Sequence, residues 1–282
     1  MVVKHKNIGL EGKHARPVVT DVIFNDDKQQ KPVLIFCHGY KGFKDWGVWD
    51  LMAESLAKNG IFFIKFNFSF NGGTLEQPID FPDLDAFGKN TFIKELDDIE
   101  VVLDWLSSPK IEFNENIDKN NITLMGHSRG GGTAIIKASE DERIHKLITL
   151  AAVADFEERF PSGAALEEWK ENGIGYVENS RTKQKMPHLY EFYENFKANQ
   201  DRLTISKVAK SLKIPFLIIH GSEDPTVDIE NAKRLKKWVP EADLFILEGS
   251  NHVFEGSHPW KEKHMPEAFQ KITEKVTEFI RK

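Results

Sequence analysis

The sequence predicts an α/β fold, a mostly parallel central sheet with helices on both faces. Two observations carry that expectation. Short apolar, β-rich runs alternate along the chain with longer segments of helical period. One of those runs, residues 31–38 (KPVLIFCH), is apolar almost throughout, as a strand must be when helices cover both of its faces. The 282 residues suit one large α/β domain.

Each element follows from its pattern. Residues 15–24 read as an antiparallel edge strand, ahead of the strand at 31–38. Residues 48–59 form a helix ended by Gly60, and 61–68 (IFFIKFNF) a strand. Leu96, Ile99, Leu103 and Leu106 recur at helical spacing. Residues 121–125 form a strand that runs directly into GHSRGG and the helix this opens. Strands at 144–152 and 215–220 (PFLIIH) follow, then a helix at 228–238 and a strand at 242–248. A last helix carries Phe269, Ile272, Val276, Phe279 and Ile280 on one face.

One stretch breaks the rhythm. Roughly sixty residues separate the strand ending near Ala154 from Pro215, far more than a crossover helix needs. The segment is polar yet holds Phe156, Phe160, Trp169, Tyr176, Tyr190, Phe192, Tyr193 and Phe196. It is expected to be a helical cap inserted at about 155–205 into a single 1–282 domain, with Trp169, Tyr176, Tyr190 and Phe196 facing substrate. Ligand clefts in open α/β sheets lie at that end of the strands. An interaction arm or homodimer contact is the competing reading of the same aromatics.

Composition narrows the function. Apolar residues are 40% of the chain and charged residues 29%, as in a soluble globular protein. A formal charge of −6 gives no reason to expect nucleic acid as a partner. The start is too polar for a signal peptide, and no apolar run is long enough to span a bilayer, so no membrane role is expected. Cys37 is the only cysteine and reads as a small buried strand residue, which excludes an internal disulfide and a cysteine-rich metal site. No ligand cluster for a metal or organic cofactor is apparent. These features point to the cytoplasm.

Gly126–Gly131 raises the chemical question, because Gly-x-Ser-x-Gly is short and the chain has 19 glycines. Its context is strand, tight turn and helix, which a nucleophile elbow requires. Ser128 then needs a base, since a serine hydroxyl alone is a poor nucleophile. Ten histidines compete. His252, in GSNHVF, directly follows the last strand and its turn, at the same sheet edge as Ser128. His258 is the runner-up on that loop. His5, His14, His145, His188 and His264 have no such position, and surface or packing roles suit them. A carboxylate must orient the base. HGSEDPTV offers Glu223 and Asp224 in the loop after the fifth strand; Asp224, just before Pro225, is preferred, with Asp155 as alternative.

The oxyanion needs backbone N–H donors. The amide of Arg129, after the nucleophile, is one, and the amide of Tyr40 in CHGYKGF is the other. His38 precedes the position this fold's order assigns to the base and reads as a loop-shaping residue. The Arg129 side chain is expected to pair with a carboxylate.

These pieces together resemble a serine hydrolase of the α/β-hydrolase superfamily, similar to its dienelactone-hydrolase-like and cinnamoyl (feruloyl) esterase-like branches. The likeness rests on HGYKGFKDWG, KFNFSFNGGT, GHSRGG, HGSEDPTV and GSNHVF, in that order along nearly the whole chain. It implies Ser128 as nucleophile, Asp224 as acid and His252 as base. Dienelactone hydrolases carry cysteine at the elbow, where this chain has serine. The expected activity is hydrolysis of a small-molecule carboxylic ester through an acyl-enzyme, without cofactor. A peptidase or amidase on the same triad, using Glu167, Glu168 and Glu171 to hold an amino group, is one alternative. A non-catalytic binding protein is the other.

Overall fold

The computed structural model describes every residue except residue 110. Ten strands occur among them: β1 (Val2–Leu10), β2 (Val18–Asn25), β3 (Lys31–Cys37), β4 (Phe62–Asn67), β5 (Ile117–His127), β6 (Lys146–Leu150), β7 (Ile174–Glu178), β8 (Lys185–Leu189), β9 (Phe216–Gly221) and β10 (Asp243–Leu247). The helices are α1 (Trp49–Lys58), α2 (Leu84–Gly88), α3 (Phe92–Ser107), α4 (Arg129–Glu140), α5 (Ala164–Asn172), α6 (Glu191–Ala198), α7 (Gln200–Leu203), α8 (Ile205–Ala209), α9 (Glu230–Trp238) and α10 (Glu267–Arg281). An eight-stranded sheet runs β1-β2-β4-β3-β5-β6-β9-β10. From β4 to β10 neighbouring strands are parallel, and β1 and β2 are antiparallel additions.

Period-2 alternation divides the core in two. Val33, Ile35 and Cys37 of β3 face the cluster built with α3, α4, α8 and α9. Leu34 and Phe36, on the opposite face, meet Trp49, Met52 and Leu56 of α1 and Phe269, Ile272 and Val276 of α10. Cys37 is fully buried between these layers, as expected of a small strand residue, and burial pushes its thiol up. Among the described residues no helix is long and apolar enough to cross a membrane.

Two expectations need correcting. The strand at 15–24 is not the edge, because β1 pairs antiparallel outside it. β1 (VVKHKNIGL) is polar at its centre, with one side in solvent; Lys4 and Lys6 reach Glu54 and Asp50 on α1. A charged edge strand hides from a hydrophobicity search and also discourages edge-to-edge pairing. The segment between β6 and β9 is not all helical, for β7 and β8 form an antiparallel hairpin, Ile174 opposite Leu189 and Glu178 opposite Lys185.

The fold also brings Asp21 of β2 to two carboxylates of the segment after β3, Asp45 and Asp50. Oxygens of Asp21, Asp45 and Asp50 lie within 4.8 Å of one another. Lysine ammonium groups stand among them: Lys44 Nζ is 2.8 Å from Asp21, and Lys65 Nζ 3.2 Å from Asp21 and 2.5 Å from Asp45. Burial alone would lower the Lys65 pKa, but Asp45, Asp50 and Asp21 outweigh it and raise the value. Lys65 Nζ also donates to Lys44 O at 3.0 Å, and Lys44 N to Asn67 Oδ1 at 2.7 Å. The loop after β3 is thereby fastened to β4.

Asp98, buried on α3, accepts from Ser69 N at 2.7 Å and Ser69 Oγ at 2.9 Å. Burial dominates those bonds and pushes its pKa up to about 8. The folded protein therefore holds a proton that the unfolded chain releases above about pH 4. This contribution is complete below that pH and disappears as pH rises toward 8, at up to about 1.4 kcal/mol per pH unit. Urea unfolding at pH 5, 6, 7 and 8 should show wild-type stability falling more steeply than that of Asp98→Asn. Parallel profiles would mean that Asp98 is ionised in the folded state.

Candidate active site

The elbow follows from backbone crowding. Ser128, between β5 and α4, has φ 56° and ψ −120°. A turn this tight brings its flanking residues onto neighbouring backbone. A Cβ at Gly126 would lie 2.2 Å from Gly130 O, and one at Gly130 would lie 2.3 Å from His38 O. Only glycine fits at either place.

Sheet register then brings the strand ends together. Cys37 pairs with Gly126, His127 with Leu150, Leu150 with Ile219, and Leu247 with Gly221. The loops after β3, β5, β9 and β10 thus open at one edge. There His252 Nε2 lies 3.0 Å from Ser128 Oγ, and His252 Nδ1 2.7 Å from Asp224 Oδ2. Asp224 Oδ1 accepts from Thr226 N at 2.8 Å and Val227 N at 2.9 Å. Burial pushes the Asp224 carboxyl up, but hydrogen bonds from His220 and His252, the His252 charge and the Val227 amide hold it well below the usual carboxylate range.

The other candidates lie elsewhere. His258 Nδ1 accepts from Gly47 N at 3.0 Å. Asp155 accepts from Glu157 N and is 3.6 Å from Arg234. Glu223 is exposed, and its N–H donates to Ser250 O. His14 meets Asp97, His145 accepts from Ile122 N, and His5 packs on Phe24 and Phe113. His264 offers its carbonyl to Trp260. His38 shapes its loop, donating from Nδ1 to Gly39 O at 2.9 Å and accepting at Nε2 from Phe68 N. Burial lowers its pKa to about 4.

Three histidines matter more than their sequence context suggests. His127 Nε2 donates to His252 O at 3.0 Å, and burial followed by the His252 charge lowers its pKa to about 3, so it stays neutral. His220 Nε2 donates to Val227 O at 2.8 Å and lies 3.4 Å from Asp224. His188, set aside above as a packing residue, lies 2.7 Å from Tyr40 Oη and lines the cavity beside Ser128. Burial, then Arg129 and Lys41, lowers the His188 pKa to about 4, and burial raises Tyr40 to about 12. His127 and His220 sit inside the motifs flanking Ser128 and Asp224, which is a readable signal; His188 has none.

A cavity of about 650 Å³ opens over Ser128 and His252. Phe92, Phe156, Phe160, Trp169, Ile174 and Phe192 supply its apolar wall. Trp169 and Tyr176 line it, whereas Tyr190 and Phe196, expected at the substrate, do not. Tyr190 stands behind the wall against Trp169, with centroids 5.4 Å apart, and Phe196 is buried at 5.0 Å from Phe160. Tyr190 precedes α6 and is partly buried, whereas Phe196, one turn after Phe192, packs into the core. The Arg129 guanidinium pairs with Glu95 at 2.7 Å and lies between the rings of Phe92 (4.6 Å) and Phe192 (4.8 Å).

Comparison with known proteins agrees with this architecture. Est1E from Butyrivibrio proteoclasticus superposes with a TM-score of 0.73 at 17% identity, covering 98% of this chain and 98% of that one. That protein has also been solved with ferulic acid bound. A dienelactone hydrolase from Anabaena variabilis gives a TM-score of 0.65 at 15% identity, over 99% and 97% of the two chains. The non-heme chloroperoxidase CPO-A1 of Kitasatospora aureofaciens is 21% identical over 266 residues, 82% of this chain and 88% of that protein. At these identities the likenesses carry the α/β-hydrolase fold. Residues 83–239 match the BD-FAE family model. That match covers more than half of the chain and includes Ser128 and Asp224, so the chain belongs to the BD-FAE family and is a carboxylic-ester hydrolase of the α/β-hydrolase fold.

Proposed function

We propose that ester cleavage runs through Ser128 as nucleophile, His252 as general base and acid, and Asp224 as the carboxylate that orients His252. The observation that carries this is the continuous chain Asp224–His252–Ser128, with links of 2.7 and 3.0 Å, at the floor of a substrate-sized cavity. His252 Nε2 takes the Ser128 proton as Oγ attacks the ester carbonyl. The tetrahedral oxyanion sits between the Tyr40 and Arg129 amides. Arg129 is the first residue of α4, whose N–H has no partner within the helix. The protonated His252 passes its proton to the departing alcohol. Water, deprotonated by the same ring, then releases the acid and restores Ser128. None of these steps requires a metal or an organic cofactor.

Residues 155–205 act in this reading as a cap that selects substrate by burying its apolar part. Each buried methylene contributes about 0.8 kcal/mol. Excising the whole cap would also disturb the core, because Phe156 stacks on Phe92 at 3.9 Å and is almost fully buried. Tyr176 is the informative position, being 61% exposed while lining the cavity. Tyr176→Ala should lower kcat/KM for p-nitrophenyl decanoate about tenfold relative to p-nitrophenyl acetate, the loss of one or two buried carbons' worth of contact. An unchanged ratio would remove the hairpin from substrate recognition.

A panel of p-nitrophenyl esters and matched anilides tests the reaction class. Turnover of esters alone is expected; anilide turnover at comparable rate would make the chain an amidase. The amidase reading loses support from position, since of Glu167, Glu168 and Glu171 only Glu168 lines the cavity. The cytoplasmic location is proposed on composition, with the single thiol buried.

A further inference from the structure

We propose that the natural substrate is an ester carrying a carboxylate, which Lys41 and Arg159 bind at the cavity; this rests on the triad reading above. Both cations line the cavity that opens over Ser128 and His252. Among the described residues neither is ion-paired. Lys41 Nζ has only the Glu178 carbonyl at 3.4 Å and the Tyr40 ring at 5.2 Å. Arg159 has only the Thr226 carbonyl, at 3.3 Å. Of the other arginines, Arg16, Arg129, Arg143, Arg181, Arg202 and Arg234 each hold a carboxylate, and Arg281, remote from the cavity, holds the Asn59 carbonyl.

Backbone and field agree with this assignment. Lys41 follows the oxyanion-loop residue Tyr40 and is held at φ 54°, the left-handed region a non-glycine residue enters only under constraint. Lys41 is partly buried and lines the cavity. Arg129 adds little net charge, because Glu95 neutralises it. The one acid of the lining, Glu168, is exposed on α5; Arg159 is exposed too, and Lys41 is partly buried. The lining thus carries two cations without an ion pair against one acid, and an incoming carboxylate would supply the ionic partner that Lys41 and Arg159 lack.

The carboxylate can belong to the acyl half or the alcohol half of the ester, and two substrate pairs separate these. Mono(p-nitrophenyl) glutarate is compared with p-nitrophenyl pentanoate, and 4-acetoxybenzoate with 4-acetoxybenzamide. The wild type should prefer the anionic member of at least one pair by about tenfold in kcat/KM, as charge-assisted hydrogen bonds imply. Raising the ionic strength should shrink that preference. Lys41→Gln combined with Arg159→Gln should abolish the ratio, while Lys271→Gln, a remote cation paired with Glu267, should leave it unchanged. A purely structural role of Lys41 would lower both members of a pair together and leave the ratio alone. Turnover without an anionic preference in either pair, or a preference for p-nitrophenyl 4-(trimethylammonio)butyrate, overturns the proposal alone. No turnover of any ester overturns the triad reading and this proposal with it.

Discussion

Ser128→Ala is expected to lower kcat for p-nitrophenyl acetate about a million-fold, the scale of losing a triad nucleophile. The unfolding midpoint should stay near that of the wild type. The hydroxyl meets His252 Nε2 and faces the cavity, so removing it opens no void in either core layer. Alanine keeps the same Cβ at φ 56°, so it adds no backbone strain to a turn already held by Gly126 and Gly130. What remains is catalysis by the oxyanion amides and by binding. A fluorophosphonate probe should add one label to the wild type, mapped to Ser128, and none to the variant. Labelling of another residue, or undiminished turnover by Ser128→Ala, would end the elbow assignment.

Asp224→Asn is expected to cost about ten-thousand-fold in kcat, because an amide there stabilises the wrong imidazole tautomer. The carboxylate receives Nδ1–H of His252 on one oxygen and the Thr226 and Val227 amides on the other. An asparagine cannot accept from all of these donors at once. Since Asp224 is held well below the usual carboxylate range, it stays ionised through mildly acidic pH. Asp155→Asn is the control: its partners are Glu157 N and Arg234, far from the imidazole in bonding terms. Inactivity of Asp155→Asn with full activity of Asp224→Asn would transfer the acid to the end of β6.

The cap shows where sequence reasoning loses resolution. Aromatic residues in a polar segment signal that an apolar surface is being covered, and Trp169 and Tyr176 do line the cavity. The same composition gives no hint that Phe156, Phe192 and Phe196 are bound into the main core around Phe92. Burial direction depends on how α6 lies against α3, and no local pattern encodes that. His188 illustrates the same limit. Its distance from Tyr40 in sequence is 148 residues, and only docking of β8 beside the loop after β3 makes them neighbours.

The sequence by itself determined the alternation of strands and helices, the buried character of β3, and the turn around Ser128. Each is written in short-range terms, as period, apolar run and glycine spacing, because the physics that produces each acts within a few residues. It also placed Asp224 and His252 just after strands, where parallel topology sends loops to one edge. The charged edge strand β1, the hairpin β7–β8, the Asp21–Asp45–Asp50 cluster with its lysines, and the two unpaired cations at the cavity were decided by tertiary structure alone. For the edge strand and the carboxylate cluster, the deciding interactions include pairs far apart in the chain, such as Lys4 with Glu54 and Lys44 with Asp21. For the carboxylate cluster the free energy comes from desolvation and charge proximity, which exist only once the layers have packed.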